Sequence, residues 1–225
     1  MSEAMNLFFY GILPYVVLSI AIIGTTQRYI TDQFSISSLS SQFLENRKLF
    51  LGTILWHFGI LVVLLGHLVA FMIPKTILAF NSVPLRLYIL EGTALIFALS
   101  AFFGLILFIE RRLTQDRIRV VTSPMDYVLF TLLFIQVATG LYIAIFHRWG
   151  SSWYALTAVP YLRSIWVLNP QIQYVVDLPL MVQAHMINAF LLIGIFPFTR
   201  LPHMLVIPFG YLVRPYQIVI FNRKK

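Results

Sequence analysis

The sequence predicts an all-α protein: a polytopic bundle of five transmembrane helices, with the N-terminus outside and the C-terminus in the cytoplasm. Of its 225 residues, 60% are hydrophobic and only 11% charged, and the mean hydropathy is +0.86. A soluble domain of this size cannot hide that much apolar surface. Several uncharged runs also exceed the ~18 residues that mark a spanning helix. The third observation is charge placement. The 16 Lys and Arg gather in links beside the spans, so the net charge of +8 reads as membrane topology, not as a nucleic-acid-binding surface.

The chain reads as one integral-membrane domain, residues 1–225, with spans at about 5–25, 49–73, 87–109, 125–146 and 178–206. The first follows Met-Ser-Glu-Ala-Met, which has no positive n-region and no clear small-x-small cleavage site. It is therefore expected to be a retained helix and not a signal peptide. The Arg28–Lys48 link, with its Ser-rich centre, is expected to be a loop with room for a short interfacial helix. The second span ends at Pro74, and the third follows a short link holding Lys75 and Arg86. The densest charge cluster, Glu110-Arg111-Arg112 through Arg117 and Arg119, precedes the fourth span. The link from His147 to Asp177 is rich in Trp, Tyr and Pro, which suits the headgroup region. The fifth span leads to a basic tail ending Arg223-Lys224-Lys225. The first and third links, with the region from Arg200 onward, hold 12 of the 16 Lys and Arg. The other two links hold Lys75, Arg86, Arg148 and Arg163. The positive-inside rule then sets the orientation given above. No internal repeat is visible, so a transporter built from inverted repeats finds no support.

Cysteine is absent. That excludes disulfides, thiolate ligation of an iron–sulfur cluster and the C-x-x-C-H of a covalently attached haem. Histidine carries the chemistry instead. His57 and His67 lie in the second span, His185 and His203 in the fifth. Ionisable side chains at membrane depth are costly and mark functional sites. Because the two spans run in opposite directions, antiparallel packing pairs His67 with His185 and His57 with His203. Two layers with one imidazole from each helix are what two stacked six-coordinate haems require, with all four histidines as metal ligands.

The spacing needs an adjustment. At 1.5 Å per residue, ten residues rise ~15 Å and eighteen rise ~27 Å. Pro197 and Pro202, between the histidines of the fifth span, predict distorted backbone that absorbs the excess. Gly52, Gly59 and Gly66 recur every seven residues and form a bare stripe, open to a flat macrocycle or to another helix. Arg200 shares the face of His203 if the helix persists across Pro202, which makes it a candidate partner of an inner haem propionate. Arg111, Arg112, Arg117 and Arg119 fit propionate pairing, partner docking or simple topology-setting charge. His147, beside Arg148 and Trp149, reads as an interfacial residue. A proton relay through the histidines is the competing class, but no Asp or Glu lies deep in a span; Glu91 and Glu110 sit nearer the ends.

Several stretches carry a resemblance: Asn6-Leu7-Phe8-Phe9-Tyr10, Ser40-Ser41-Gln42, His57 through Gly66-His67, and Arg111-Arg112-Leu113. The closing run Phe196-Pro197-Phe198-Thr199-Arg200-Leu201-Pro202-His203 adds to them, with Pro208, Tyr211-Leu212 and Tyr216-Gln217. Spread over nearly the whole chain, they resemble the gamma subunit of membrane-bound respiratory nitrate reductases, a diheme cytochrome b of the cytoplasmic membrane. The resemblance implies quinol oxidation near an outer haem b on His67 and His185, with protons leaving on that side. It further implies electron transfer to an inner haem b on His57 and His203, then to an iron–sulfur beta subunit and a molybdenum-containing alpha subunit in the cytoplasm. The family carries a lysine near the outer start of the third span that is implicated in quinol binding. Here Val83 to Tyr88 holds Arg86 instead, which makes Arg86 the candidate for that contact, with a different hydrogen-bonding geometry. The alternatives within this architecture are cytochromes of sulfite-reduction or disulfide-reductase complexes, or a nitrite-oxidising complex running in reverse.

Overall fold

The computed structural model describes residues 2–38, 44 and 47–205. Five helices are long and apolar enough to cross a membrane, namely Glu3–Thr31, Lys48–Met72, Pro84–Thr114, Pro124–Phe146 and Leu180–Phe198. We number the helices α1 (Glu3–Thr31), α2 (Arg47–Met72), α3 (Pro74–Asn81), α4 (Pro84–Thr114), α5 (Asp116–Val120), α6 (Pro124–Phe146), α7 (150–166) and α8 (Leu180–Ile195). The end of the bundle bearing His67 and His185 is called upper, and the end bearing His57 and His203 lower. The resemblance stretches at Ser40–Gln42 and from Pro208 onward, and the basic tail, lie outside the described residues.

Helix boundaries follow local chemistry. Proline opens α3, α4 and α6 at the first positions, where its missing N–H costs no hydrogen bond. At α6, Ser123 and Asp126 form a reciprocal capping box, which satisfies two backbone donors. In α1, Pro14 has no N–H for the carbonyl of Tyr10, and the turn before it widens into a π-helix over Leu7–Ile12. The Tyr161 hydroxyl donates to that carbonyl at 2.8 Å.

The spans pack in series. α2 lies along α4, α4 along α6, α6 along α8, and α8 along α1. Among the described residues α2, which carries His57 and His67, and α8, which carries His185, have no comparable seam between them, and His203 lies beyond α8 in the turn Leu201–Leu205. The α2–α4 seam is the tightest. A Cβ at Gly59 would lie 2.5 Å from the Ala101 nitrogen, and one at Gly104 would clash with the Trp56 backbone. The Ser100 hydroxyl donates to the Leu55 carbonyl across it at 3.0 Å. Gly52 and Gly59 of the glycine stripe therefore serve helix–helix contact. At Gly66 nothing lies within 4 Å of a Cβ.

The segment after α6 folds across the upper end. Trp149, in the left-handed region with φ 65°, turns the chain into α7. Asn81 donates to Ser151 and Ser152, and Ser151 in turn donates to Glu91. Arg163 donates to the carbonyls of Phe71 and Met72 at 2.6 and 3.0 Å, satisfying orphan acceptors at the C-terminus of α2. Buried Tyr10, Val17, Tyr161, Ile165, Val175 and Phe190 form a core where α1, α7 and α8 meet. At the other end of α8 the fold departs from the expected continuous span. The α-helix stops at Ile195 and gives way to 3-10 turns at Phe196–Phe198 and Leu201–Leu205, because Pro197 and Pro202 cannot supply helical N–H donors.

Candidate functional site: two histidine pairs

The lower pair depends on that irregular segment. Arg28 of α1 donates from Nη1 to the carbonyls of Pro197 and Thr199, each at 2.7 Å. Its Nε and Nη2 are held by Ser35. Pro197 sits against Gly24, where a Cβ would meet its ring at 2.9 Å. Arg200 forms a two-pronged ion pair with Asp126, both contacts at 2.7 Å, and Asp126 is buried. The α-helix does not persist across Pro202, so Arg200 and His203 are related in another way. The Arg200 carbonyl accepts from His203 Nδ1 at 2.6 Å while its guanidinium grips α6.

His57 is oriented within its own helix, with Nδ1 donating to the Thr53 carbonyl at 2.9 Å. A carbonyl only accepts, so Nδ1 carries a proton in both rings. The His57 and His203 ring centroids are 6.3 Å apart, at 72°.

In the upper pair, His67 repeats this pattern, its Nδ1 donating to the Val63 carbonyl at 2.8 Å. The Tyr154 ring stands edge-on to it at 5.3 Å, and the Tyr154 hydroxyl donates to the His67 carbonyl at 3.4 Å. Burial pushes the Tyr154 phenol up to about 12, so it stays a donor at physiological pH. His185, on α8, is the other histidine of this end. Its own partners lie on α6: Thr139 Oγ1 is 3.0 Å from Nδ1, and Gln136 Nε2 is 3.0 Å from Nε2. Asn188 donates to Gln136 Oε1 and to the Leu132 carbonyl. Gly140 makes room for the imidazole, since a Cβ there would meet its Cε1 at 3.1 Å.

The remaining candidates fall away from the pairs. Arg86 is exposed at the start of α4, with its guanidinium 5.8 Å from the Phe80 ring. Arg111 is fully buried. Arg112 stacks over Phe130 at 4.1 Å and lies in electrostatic range of Asp126, Arg200 and Arg111. Arg117 and Arg119 are exposed, with Arg119 3.5 Å from Asp116. Of the two carboxylates near span ends, Glu110 pairs with Lys48 at 2.7 Å. His147 caps α6 and lines a cavity of about 310 Å³ with Arg148, Trp153 and Val182.

Sequence reasoning overlooked Arg28, Asp126, Gln136, Thr139, Gly140 and Asn188. A signal for four of them was present. Gln136, Thr139 and Gly140 form a polar and small stripe at i, i+3, i+4 in an otherwise apolar helix, and Asn188 follows His185 by three.

The donor set fits a metal held between two imidazoles. Among the described residues, no three His, Asp or Glu side chains cluster, so the histidines come as pairs. With a metal–imidazole bond of about 2 Å on each side, one metal atom fits between the 6.3 Å-spaced rings of His57 and His203. Among the described residues α2 and α8 share no seam comparable to the others, and nothing lies within 4 Å of a Cβ at Gly66. A backbone or hydroxyl partner on Nδ1 is the usual device for aiming a ligating Nε2.

The model of the family described as "Nitrate reductase gamma subunit" matches residues 6–222. The nitrate reductase gamma chain of Bacillus subtilis (strain 168) is 32% identical over 96% of this chain and 97% of its own. The respiratory nitrate reductase 1 gamma chain of Escherichia coli (strain K12) is 30% identical over 96% and 98%. The nitrate reductase-like protein NarX of Mycobacterium tuberculosis (strain ATCC 25618 / H37Rv) is 32% identical over 96% of this chain but only 34% of its own length. With five apolar spans and a family match over nearly all its length, the chain belongs to the nitrate reductase gamma subunit family.

Proposed function

We propose that the chain is the membrane-anchor diheme cytochrome b of a nitrate reductase-like complex in the cytoplasmic membrane. In this reading the upper end faces outside and the lower end faces the cytoplasm. His67 and His185 hold the outer haem b, and His57 and His203 the inner one. Quinol is oxidised at the outer end, and iron–sulfur and molybdenum subunits dock at the inner end. When bound, the two haems supply one-electron chemistry across the low-dielectric layer. The chain itself supplies aim and burial. Each Nδ1 is anchored, on a carbonyl for His57, His67 and His203 and on Thr139 for His185.

One observation carries the reading most directly: the His57 and His203 ring centroids lie 6.3 Å apart, edge-to-face at 72°, both with Nδ1 on a carbonyl. Family membership supports the choice of complex, and the basic residues of the first and third links support the orientation. Gly66 and the exposed His67 and Arg86 offer a quinol access at the outer end.

The test is haem quantitation and optical redox titration of the intact complex extracted from membranes. Two b-type haems per chain are expected, with bis-imidazole spectra. His57→Ala removes one and retains the other, while His185→Ala removes the opposite one. A purified complex without haem absorbance overturns the proposal.

A further inference from the structure

His185 is oriented differently from the other three histidines. His57, His67 and His203 each place Nδ1 on a carbonyl three or four residues earlier in their own segment. Their aim is therefore fixed by local backbone. The Nδ1 of His185 instead meets Thr139 Oγ1, on another span, at 3.0 Å.

The hydrogen-bond inventory assigns the direction of that contact. Thr139 has a single hydroxyl proton, and the carbonyl of Ile135 lies 2.7 Å from Oγ1, with that of Gln136 at 3.1 Å. Those carbonyls only accept, so the hydroxyl donates to its own helix and accepts from His185 Nδ1–H. The proton is thereby fixed on Nδ1 and the lone pair on Nε2. The chain of contacts continues consistently. Asn188 donates to Gln136 Oε1 at 2.7 Å, which turns the Gln136 amide nitrogen toward His185 Nε2. Gly140 leaves the face of α6 bare where the imidazole lies. A metal held by Nε2 would displace the Gln136 donor, whereas the Thr139 contact is made by the other ring nitrogen, Nδ1.

We infer that Thr139, on a span that supplies no haem ligand, is the positioning residue of the upper haem site, fixing the tautomer, ring orientation and donor strength of His185. The inference rests on the proposed haem ligation. A hydrogen-bond acceptor on Nδ1 makes the ligating imidazole more basic. A more basic ligand favours ferric iron, so removing the acceptor raises the midpoint potential of that haem. It also lowers haem retention, by about 10- to 100-fold for a typical contact of this kind.

The experiment compares wild type, Thr139→Val, Thr139→Ala and Thr139→Ser in the intact membrane complex. The readouts are redox titration, low-spin ferric EPR of each haem and haem content. The haem lost in His185→Ala identifies the upper signal. In Thr139→Val and Thr139→Ala we expect the upper potential to rise and its EPR signal to shift, with the lower haem unmoved. Thr139→Ser, which restores the hydroxyl, returns both readouts toward wild type. Two unaltered haems in both Val and Ala overturn the inference alone. Equal displacement of both haems, or failure of Ser to rescue, reduces Thr139 to a packing residue and overturns it as well. A wild-type complex without two haems overturns the functional proposal and this inference with it. If Thr139→Val does not accumulate, the Ala and Ser pair decides the question on the same readouts.

Discussion

The lower and upper histidine pairs share their donor chemistry but not the means by which it is held. At the lower end, charged side chains gather the irregular segment. Arg28 collects the carbonyls of Pro197 and Thr199, and Arg200 locks onto Asp126. At the upper end, His185 is held by neutral groups, Thr139, Gln136 and Asn188. Depth separates the two solutions. Asp126 stands in the first turn of α6, whereas Gln136 and Thr139 stand near its middle. A charge is tolerated near a span end but costly at depth, while neutral interhelical hydrogen bonds are the usual ties inside a bundle. Histidine orientation in this fold is thus built from whatever polarity the local depth permits.

Three substitutions probe that contrast. The largest effect is expected for Gly59→Leu, which lies between His57 and His67 on α2. It drives a side chain into the Ala101 and Phe97 backbone, an overpacking that costs about 1–3 kcal/mol or more. Both pairs should lose haem together, seen as loss of both optical signals and a lower Tm. A comparable loss confined to one haem would mean that the α2–α4 seam does not align both sites.

Asp126→Asn should act on the lower site only. It leaves the Arg200 guanidinium, 21% exposed, without its counter-charge. The cost falls below the ~3–5 kcal/mol of breaking a fully buried pair. Haem content and redox titration should show the lower haem destabilised and the upper one intact. Equal loss of both would erase the distinction between charged and neutral support. The smallest effect is expected for Ser123→Ala, which removes half of the capping box that presents Asp126. A cost of about 1 kcal/mol, read as a modest drop in Tm with the same bias toward the lower haem, would connect helix capping to the site. A bias toward the upper haem would break that connection.

Much of the fold could be read from residues alone. Five runs long enough to span were visible, and α6 starts within one residue of its expected position because Ser123-Pro124 is a strong helix start. The histidines stood out because polar groups in apolar runs are rare. Less legible was the end of α8. Pro197 and Pro202 announced an irregularity, but the partner of the Pro197 and Thr199 carbonyls, Arg28, lies 169 and 171 residues away. Arg28 looked like an ordinary topology-setting charge. Gly52, Gly59 and Gly66 looked equivalent, since a periodicity of seven does not say which neighbour each one meets.

The sequence by itself determined that this is a five-span helical bundle with two imidazoles in its second span and two in or just beyond its fifth. Apolar run length and the cost of buried polarity are local properties that composition and order express directly. Tertiary structure alone decided how each imidazole is aimed. Three rings take a carbonyl from their own segment, and the fourth takes a hydroxyl from a helix that carries no histidine until its cap, His147. It also decided that Arg200 serves His203 through its carbonyl while its charge is spent on Asp126. Such contacts depend on which faces meet once the spans are packed, and several pairings are compatible with the same pattern of residues along the chain.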